Sequence, residues 1–131
     1  MQTLEFILKP KSKLPTRDVN SVTAELYAYI LKQGKEEVEM ILPGSNIKIE
    51  LGVVAKIGTA FIGLIFNTAQ QKNLNVNFVE NFNVITSYDR DYLSVNIVNR
   101  GTQPYTIFHG QHIANLVIIP SFVPTIQKTN I

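Results

Sequence analysis

The chain has 131 residues, of which 45% are hydrophobic and 17% charged, so we expect one folded domain with a single hydrophobic core. Its net charge of +2 gives no electrostatic reason to expect binding to nucleic acid or to a membrane surface. The chain contains no cysteine, which excludes disulfides, thiolate metal sites and a cysteine nucleophile.

The chain starts with MQTLEFILKPKSK, in which the charges lie inside and after a short apolar stretch. A signal peptide has its charges first and a longer apolar region after them, so we expect no export by such a signal. The stretch is also too short to span a bilayer. The alternation of Leu4, Phe6 and Leu8 predicts a half-buried strand instead.

The next segment, VTAELYAYILKQGK at 22–35, is ambiguous. It contains good helix formers and ends near Gly34, which suits the C-terminus of a helix. Its apolar pattern is equally compatible with a strand, so both structures remain open for it.

Three later segments alternate between apolar and other residues. NIKIEL at 46–51 and LSVNIV at 93–98 each place their apolar side chains on one face, which predicts half-buried strands. NLNVNFV at 73–79 places three asparagines on one face and predicts a third such strand. The asparagine face is either solvated or part of a contact between subunits.

Turn signals separate these segments at short intervals. They are LPGSN at 42–46, KIGTA at 56–60, NRGTQP at 99–104 and HGQ at 109–111. Short strands with this spacing predict an all-β sandwich or barrel. We expect a single β domain over residues 1–123 and a polar, proline-led arm or tail over 124–131.

Local signatures of catalysis or metal binding are sparse. The chain has no phosphate-binding glycine loop and no GxSxG motif. His109 and His112 lie three residues apart, but no acidic residue follows Asp91, so we predict no metal site there. Asp89 and Asp91 flank Arg90 and form either a solvated charged turn or a pair that holds a cation or a base.

Three segments, taken in order, resemble the trimeric dUTPase family of small all-β nucleotide hydrolases over roughly residues 14–120. They are LPTRDVNSVTAELYAYI, LPGSNIKIELGVVAKIGTAFIGLI and VITSYDRDYLSVNIVNRGTQPYTIFHGQHIANLVIIP. The last segment is the most specific, because five residues keep both identity and spacing: Gly110, Ile113, Ala114, Leu116 and Val117. The resemblance implies a dUTPase-like jelly roll or β-barrel that assembles as a homotrimer.

The resemblance also implies where the phosphates of a nucleotide would lie. Glu25 stands where the family has an aspartate that helps to hold the magnesium–triphosphate. Thr68, Ala69 and Gln70 stand where the family has an RSS-like motif that contacts phosphate. Threonine and alanine cannot replace a guanidinium group toward a triphosphate.

The remaining site positions also differ from the family. Thr86 stands at the general base, and its hydroxyl cannot accept a proton near neutral pH. Asp89 stands where the family has a tyrosine beneath the deoxyribose, while His112 and Asn115 replace the arginine and glutamine of an RIAQL motif. The glycine-rich motif that closes over the nucleotide has no counterpart in the final residues PTIQKTNI.

These differences together predict a dUTPase-fold trimer that is not an enzyme and needs no cofactor. We expect it to serve as a structural or protein-interaction module, as a component or accessory of a virus or phage particle, in the virion or the host cytoplasm. Its partners would be copies of itself and another viral or host protein, which would contact residues 68–71. One alternative is a divergent, magnesium-dependent dUTP diphosphatase in which Glu25, Asp89 or Asp91 has taken over metal binding or base duty. The other is a nucleotide-binding protein without turnover.

Overall fold

The computed structural model describes residues 3–122 and 124–130, and it is nearly all-β. Thirteen strands and one short helix follow one another in these described residues. They are β1 (Glu5–Leu8), β2 (Thr23–Tyr27), β3 (Leu31–Lys32), β4 (Lys35–Glu36), β5 (Val38–Ile41), β6 (Asn46–Glu50), β7 (Val53–Lys56), β8 (Phe61–Phe66), α1 (Ala69–Asn73), β9 (Val76–Phe78), β10 (Phe82–Ile85), β11 (Ser94–Asn99), β12 (Tyr105–Phe108) and β13 (His112–Pro120).

The strands form antiparallel sheets of two to four strands. The largest sheet has the order β10-β8-β13-β2, and a three-stranded sheet has the order β6-β11-β9. Three further pairs are β1-β7, β12-β5 and β3-β4. Neighbours in the four-stranded sheet are far apart in sequence, so its pairing is set by long-range contacts rather than by hairpins alone.

The core is built from one face of each principal strand, as the alternating patterns predict. Ile49 on β6 and Ile97 on β11 are buried, while Lys48, Glu50 and Asn96 beside them are exposed. The predictions for 46–51 and 93–98 are therefore confirmed. In β1 the pattern holds only partly, because Leu4 and Phe6 pack against the core whereas Leu8 is exposed.

The four-stranded sheet packs so closely that it requires a glycine on β8. A Cβ atom on Gly63 would lie 2.7 Å from Cγ1 of Ile85, 2.9 Å from Cδ1 of Leu116 and 3.0 Å from Cδ1 of Ile57. These distances are below van der Waals contact. The absence of a side chain at position 63 therefore lets β10 and β13 meet over β8.

The ambiguous segment 22–35 consists of strands. β2 pairs with β13, and β3 and β4 form a hairpin whose turn residues Gln33 and Gly34 have φ values of 54° and 75°. Positive φ at two successive turn residues is typical of the tight turns that join paired strands. Pairing with β13, which buries Leu26 completely, overrides the helix propensity of this segment.

The prediction of one strand over 73–79 is wrong. Asn73 ends helix α1, and Asn75 has a left-handed φ of 58°, so strand β9 covers only Val76–Phe78. The three asparagines therefore do not share one strand face. Thr68 caps α1 and allows the helix to form, a local signal that apolar alternation does not detect.

Residues 124–130 have no regular secondary structure, and their side chains are exposed. The boundary of the β domain at residue 123 stays a prediction, and that residue lies outside the described ones. Within residues 3–122 and 124–130, no helix is long and apolar enough to cross a membrane.

Candidate functional site

A polar cluster forms where β2 and β13 pair. Asn115 lies opposite Glu25 in the register, so both side chains lie on the same face of the sheet. Nδ1 of His112 lies 3.3 Å from Oε1 of Glu25, and Nε2 of His112 lies 2.8 Å from Oδ1 of Asn115. The structure thus brings together three of the residues predicted for the nucleotide site. All three are partly accessible to solvent.

The N-terminal segment closes one side of this cluster. Thr16 forms an isolated bridge with Glu25, in which the N–H of Glu25 donates to the carbonyl of Thr16 over 2.6 Å. The hydroxyl of Tyr27 lies 3.3 Å from Oε2 of Glu25 and also contacts the Thr16 hydroxyl. Nζ of Lys13 lies 3.9 Å from the centre of the Tyr27 ring. Lys13, Thr16 and Tyr27 were not singled out from the sequence as site residues, although Thr16 and Tyr27 lie within the segment that resembles the family.

The segment that corresponds to the family's phosphate motif has a structural role in this chain. Thr68 is buried, and its Oγ1 accepts a hydrogen bond of 3.2 Å from the N–H of Gln71, which caps helix α1. Gln71 is also buried, whereas Ala69 and Gln70 are exposed. The expectation that residues 68–71 together offer a surface to a partner is therefore wrong for Thr68 and Gln71.

Gln71 is the centre of a buried hydrogen-bond network. Its Nε2 donates to Oδ1 of Asn67 over 2.5 Å and to the carbonyl of Ile113 over 2.9 Å. The Tyr105 hydroxyl donates to Oε1 of Gln71 over 3.4 Å, and Nε2 of Gln111 donates to that hydroxyl over 3.0 Å. Burial raises the pKa of Tyr105, and the hydrogen bond from Gln111 partly opposes this rise. The network attaches α1 to β13 one residue beyond His112.

A second polar group lies at the turn that follows β10. Oδ2 of Asp89 accepts hydrogen bonds from the N–H of Thr86 over 2.6 Å and from its hydroxyl over 3.2 Å. The N–H of Asp89 donates back to the carbonyl of Thr86 over 3.1 Å. Tyr88, at the tip of the turn, is 80% exposed, and Asp91 is exposed as well. The turn therefore holds a carboxylate beside Thr86, the residue that the resemblance places at the family's general base.

The two histidines do not converge on one site. The side chain of His109 is only 8% exposed, and its Nδ1 accepts the N–H of Ile30 over 3.0 Å while its Nε2 lies 2.8 Å from the carbonyl of Lys11. Both ring nitrogens of His109 therefore bind the backbone. In residues 3–122 and 124–130, no group of three or more histidine, aspartate or glutamate side chains could hold a metal ion.

The two polar groups lie far apart within one chain. Phe66 lies opposite both Asn115 and Phe82, so Glu25 and Phe82 are three strands apart, or about 14 Å. Thr86 lies four residues beyond Phe82, about 13 Å along the strand direction. The separation between Glu25 and Thr86 is therefore about 19 Å across the sheet.

Two cavities in the described residues lie away from the polar cluster on β2 and β13. A groove of about 500 Å³ is lined mainly by apolar side chains, including Leu4, Phe61 and Ile118. A smaller cavity of about 190 Å³ is lined by Asp89, Arg90 and residues of β1 and β7. The polar arrangement, rather than cavity size, therefore defines the candidate site.

The fold is that of a dUTPase-like jelly roll. No family model matches the chain. A curated relative, the deoxyuridine 5′-triphosphate nucleotidohydrolase of Escherichia phage T5, is 22% identical over 98 residues, which cover 75% of this chain and 66% of the phage protein. The dUTPase of Staphylococcus bacteriophage 80alpha has a TM-score of 0.83 and 17% identity, with 97% of this chain and 96% of that chain covered. The dUTPase of phage phi11 of S. aureus has a TM-score of 0.84 and 16% identity, with 98% and 96% covered.

These similarities confirm the predicted dUTPase-like fold. They also correct the prediction that the chain is not an enzyme, which is wrong because the curated relative and the solved neighbours are named as dUTPases. The findings favour the alternative of a divergent dUTP diphosphatase, in which Asp89 is one of the candidate residues, and the Asp89 carboxylate reaches Thr86 through the turn.

Proposed function

We propose that this protein is a divergent dUTP diphosphatase, which hydrolyses dUTP to dUMP and pyrophosphate. The observation that carries the proposal is the Asp89 carboxylate, which is held by the N–H and the hydroxyl of Thr86. The resemblance assigns the general base to the position of Thr86. The phage relatives, which are named as dUTPases, support the same activity.

Asp89 has the chemistry that Thr86 lacks. A carboxylate accepts a proton from water near neutral pH, whereas a hydroxyl does not. Both hydrogen bonds from Thr86 go to Oδ2 of Asp89, so Oδ1 remains for the attacking water. In this proposal Thr86 orients the base, and Asp89 removes the proton as water attacks the phosphorus.

The polar cluster on β2 and β13 would receive the phosphates. Magnesium prefers oxygen ligands and is commonly held by one or two carboxylates together with substrate phosphates. Glu25 fits this role, because its side chain is 45% exposed and carries a carboxylate. Bound magnesium would neutralise phosphate charge. The amide nitrogen of Asn115 would donate a hydrogen bond to a phosphate oxygen beside it, and His112, whose Nε2 donates to Oδ1 of Asn115, would hold that amide in place.

The separation of about 19 Å requires the two groups to come from different copies of the chain, since a reacting water must lie about 3–3.5 Å from its phosphorus. Asp89 of one copy and Glu25 of another would complete each site. The outer face of the four-stranded sheet supports such assembly, because it exposes Phe82 (52%) and Val84 (51%). We therefore include a homotrimer in the proposal.

The first test is product analysis after incubation of the purified protein with dUTP and magnesium. We expect dUMP and pyrophosphate from the unmodified protein. Asp89→Asn should reduce turnover by about 10²–10⁴-fold, because an amide cannot accept the proton. Asp91→Asn, two residues away and exposed, is the matched control and should remain close to the parent. Absence of products, or full activity of Asp89→Asn, would contradict the proposal.

A mixing experiment tests whether copies share the site. Asp89→Asn and Glu25→Gln should each have strongly reduced activity alone. After partial unfolding and refolding of the two variants together, the subunits exchange between trimers. Some sites then contain Asp89 from a Glu25→Gln subunit and Glu25 from an Asp89→Asn subunit. We expect partial recovery of activity in the mixture, together with a trimer mass by light scattering. A monomer by light scattering, or no recovery in a mixture that has exchanged subunits, would contradict the shared site.

A further inference from the structure

The candidate phosphate site needs a cation from the protein. A nucleoside triphosphate carries several negative charges, and Glu25 adds another. The position that corresponds to the family's phosphate-binding arginine is taken by the segment around Thr68, which is buried and caps α1. Arg17 is committed to its own loop, because its Nη1 donates to the carbonyls of Asp18 over 3.1 Å and Ser21 over 2.6 Å.

Lys13 is a cation that reaches this cluster. Its Nζ lies 3.9 Å from the centre of the Tyr27 ring, and the hydroxyl of that ring lies 3.3 Å from Oε2 of Glu25. The same ring packs edge-on against His112, with 6.0 Å between ring centres. Lys13 is exposed, so its ammonium is accessible to a ligand.

The position of Lys13 on an aromatic ring suits a mobile phosphate-binding group. An exposed cation–π contact is weak, so the ammonium can leave the ring when a phosphate arrives. Lysine is a point charge on a flexible stem and has no fixed geometry to satisfy. Hydrogen bonds between an ammonium and a phosphate are charge-assisted and stronger than the contact they would replace.

We propose that Lys13 binds the phosphates of the nucleotide and supplies the positive charge that residues 68–70 lack. This inference rests on the proposed function, because it assigns a residue to the same site. Lys13 lies just before the segment that resembles the dUTPase family, so that resemblance gives no reason to expect it. The contact would raise affinity for the triphosphate over the nucleoside.

The test is calorimetric binding of α,β-imido-dUTP, dUMP and deoxyuridine with magnesium, which needs no turnover. Lys13→Met should weaken binding of the imido analogue by about tenfold or more, the loss expected for one charged hydrogen bond. The effect on dUMP should be smaller, and deoxyuridine should bind as to the parent. Lys13→Arg should keep most of the affinity, because it keeps the charge.

Lys48→Met is the matched control, since Lys48 is an exposed lysine on β6 outside the cluster. It should leave all three affinities unchanged. If the parent binds the analogue and Lys13→Met binds it equally well, the assignment of Lys13 fails while the proposed function stands. If the analogue binds through Lys13 but dUTP is not hydrolysed, the proposed turnover fails while the assignment stands. If the parent binds none of the three ligands, both fail.

Discussion

Replacing Gln71 with leucine tests the buried network that attaches helix α1 to β13. The substitution keeps a side chain of similar length in a position that is 1% exposed, but it removes both donors of the amide and its acceptor. The carbonyl of Ile113 loses its partner at 2.9 Å, and Oδ1 of Asn67 loses one at 2.5 Å. Asn67 still accepts the N–H of Thr68 over 2.9 Å, so the larger penalty falls on Ile113.

The size of the effect follows from these losses. A buried carbonyl without a donor costs about 1–3 kcal/mol, and the lost bond to Asn67 adds about 1 kcal/mol. Burial of the leucine side chain offsets roughly 1 kcal/mol of this sum. We therefore expect the free energy of unfolding to fall by about 1–3 kcal/mol. With a urea slope of about 1.5 kcal/mol/M, the midpoint should fall by about 0.7–2 M.

The assay is urea unfolding at one fixed protein concentration, because the stability of an oligomer depends on concentration. Gln70→Leu is the matched control, since Gln70 is the exposed neighbour on the same helix turn. It should change the free energy of unfolding by no more than about 0.5 kcal/mol. Equal midpoints for the parent and Gln71→Leu would refute the role of the network.

Three further predictions concern packing and protonation. Gly63→Ala should lower the free energy of unfolding by about 1–3 kcal/mol, because its Cβ would lie 2.7 Å from Ile85. Gly58→Ala, whose closest contact would be at 3.4 Å, should lower the free energy of unfolding by less in the same urea experiment. Burial raises the pKa of Tyr105, so the contribution of this residue to stability is complete below a pH of about 10 and is lost as pH rises through the raised pKa. The parent should therefore lose more stability between pH 9 and 11 than Tyr105→Phe does. Equal losses in the two proteins would contradict this. His109 should be the Nε2–H tautomer in nitrogen NMR, since its Nδ1 accepts the N–H of Ile30, and a proton on Nδ1 of the neutral ring would disprove that hydrogen bond.

The sequence predicts the fold well where one face of a strand is buried. In β6 and β11 every second residue enters the core, so period and structure agree. The prediction fails at 73–79 because the hydrogen bonds of Thr68 and the left-handed Asn75 decide the local structure. Segment 22–35 could not be assigned from period alone, because its pairing partner β13 lies some 90 residues later.

The residues of the candidate site were likewise only partly predictable from the sequence. Glu25, His112 and Asn115 were identified through their positions in motifs that resemble the family, and strand pairing brings them together. Lys13 could not be identified from these motifs, because it lies just before them. Its contact with Tyr27 joins two residues that are 14 apart in the sequence and is made only in the folded chain. No pattern of spacing in the sequence predicts that contact.

The geometry of the turn after β10 explains how a site can keep a carboxylate while the expected letter changes. The first and fourth residues of a β-turn lie within about 7 Å of each other, so side chains at positions 86 and 89 occupy one neighbourhood. A carboxylate moved from the first position to the fourth can still reach the same water, provided that the turn holds it. Thr86 holds Asp89 with two hydrogen bonds to a single oxygen. Alignment by register treats this as the loss of the base, whereas the proposed function assigns the base to Asp89, three residues later in the same turn.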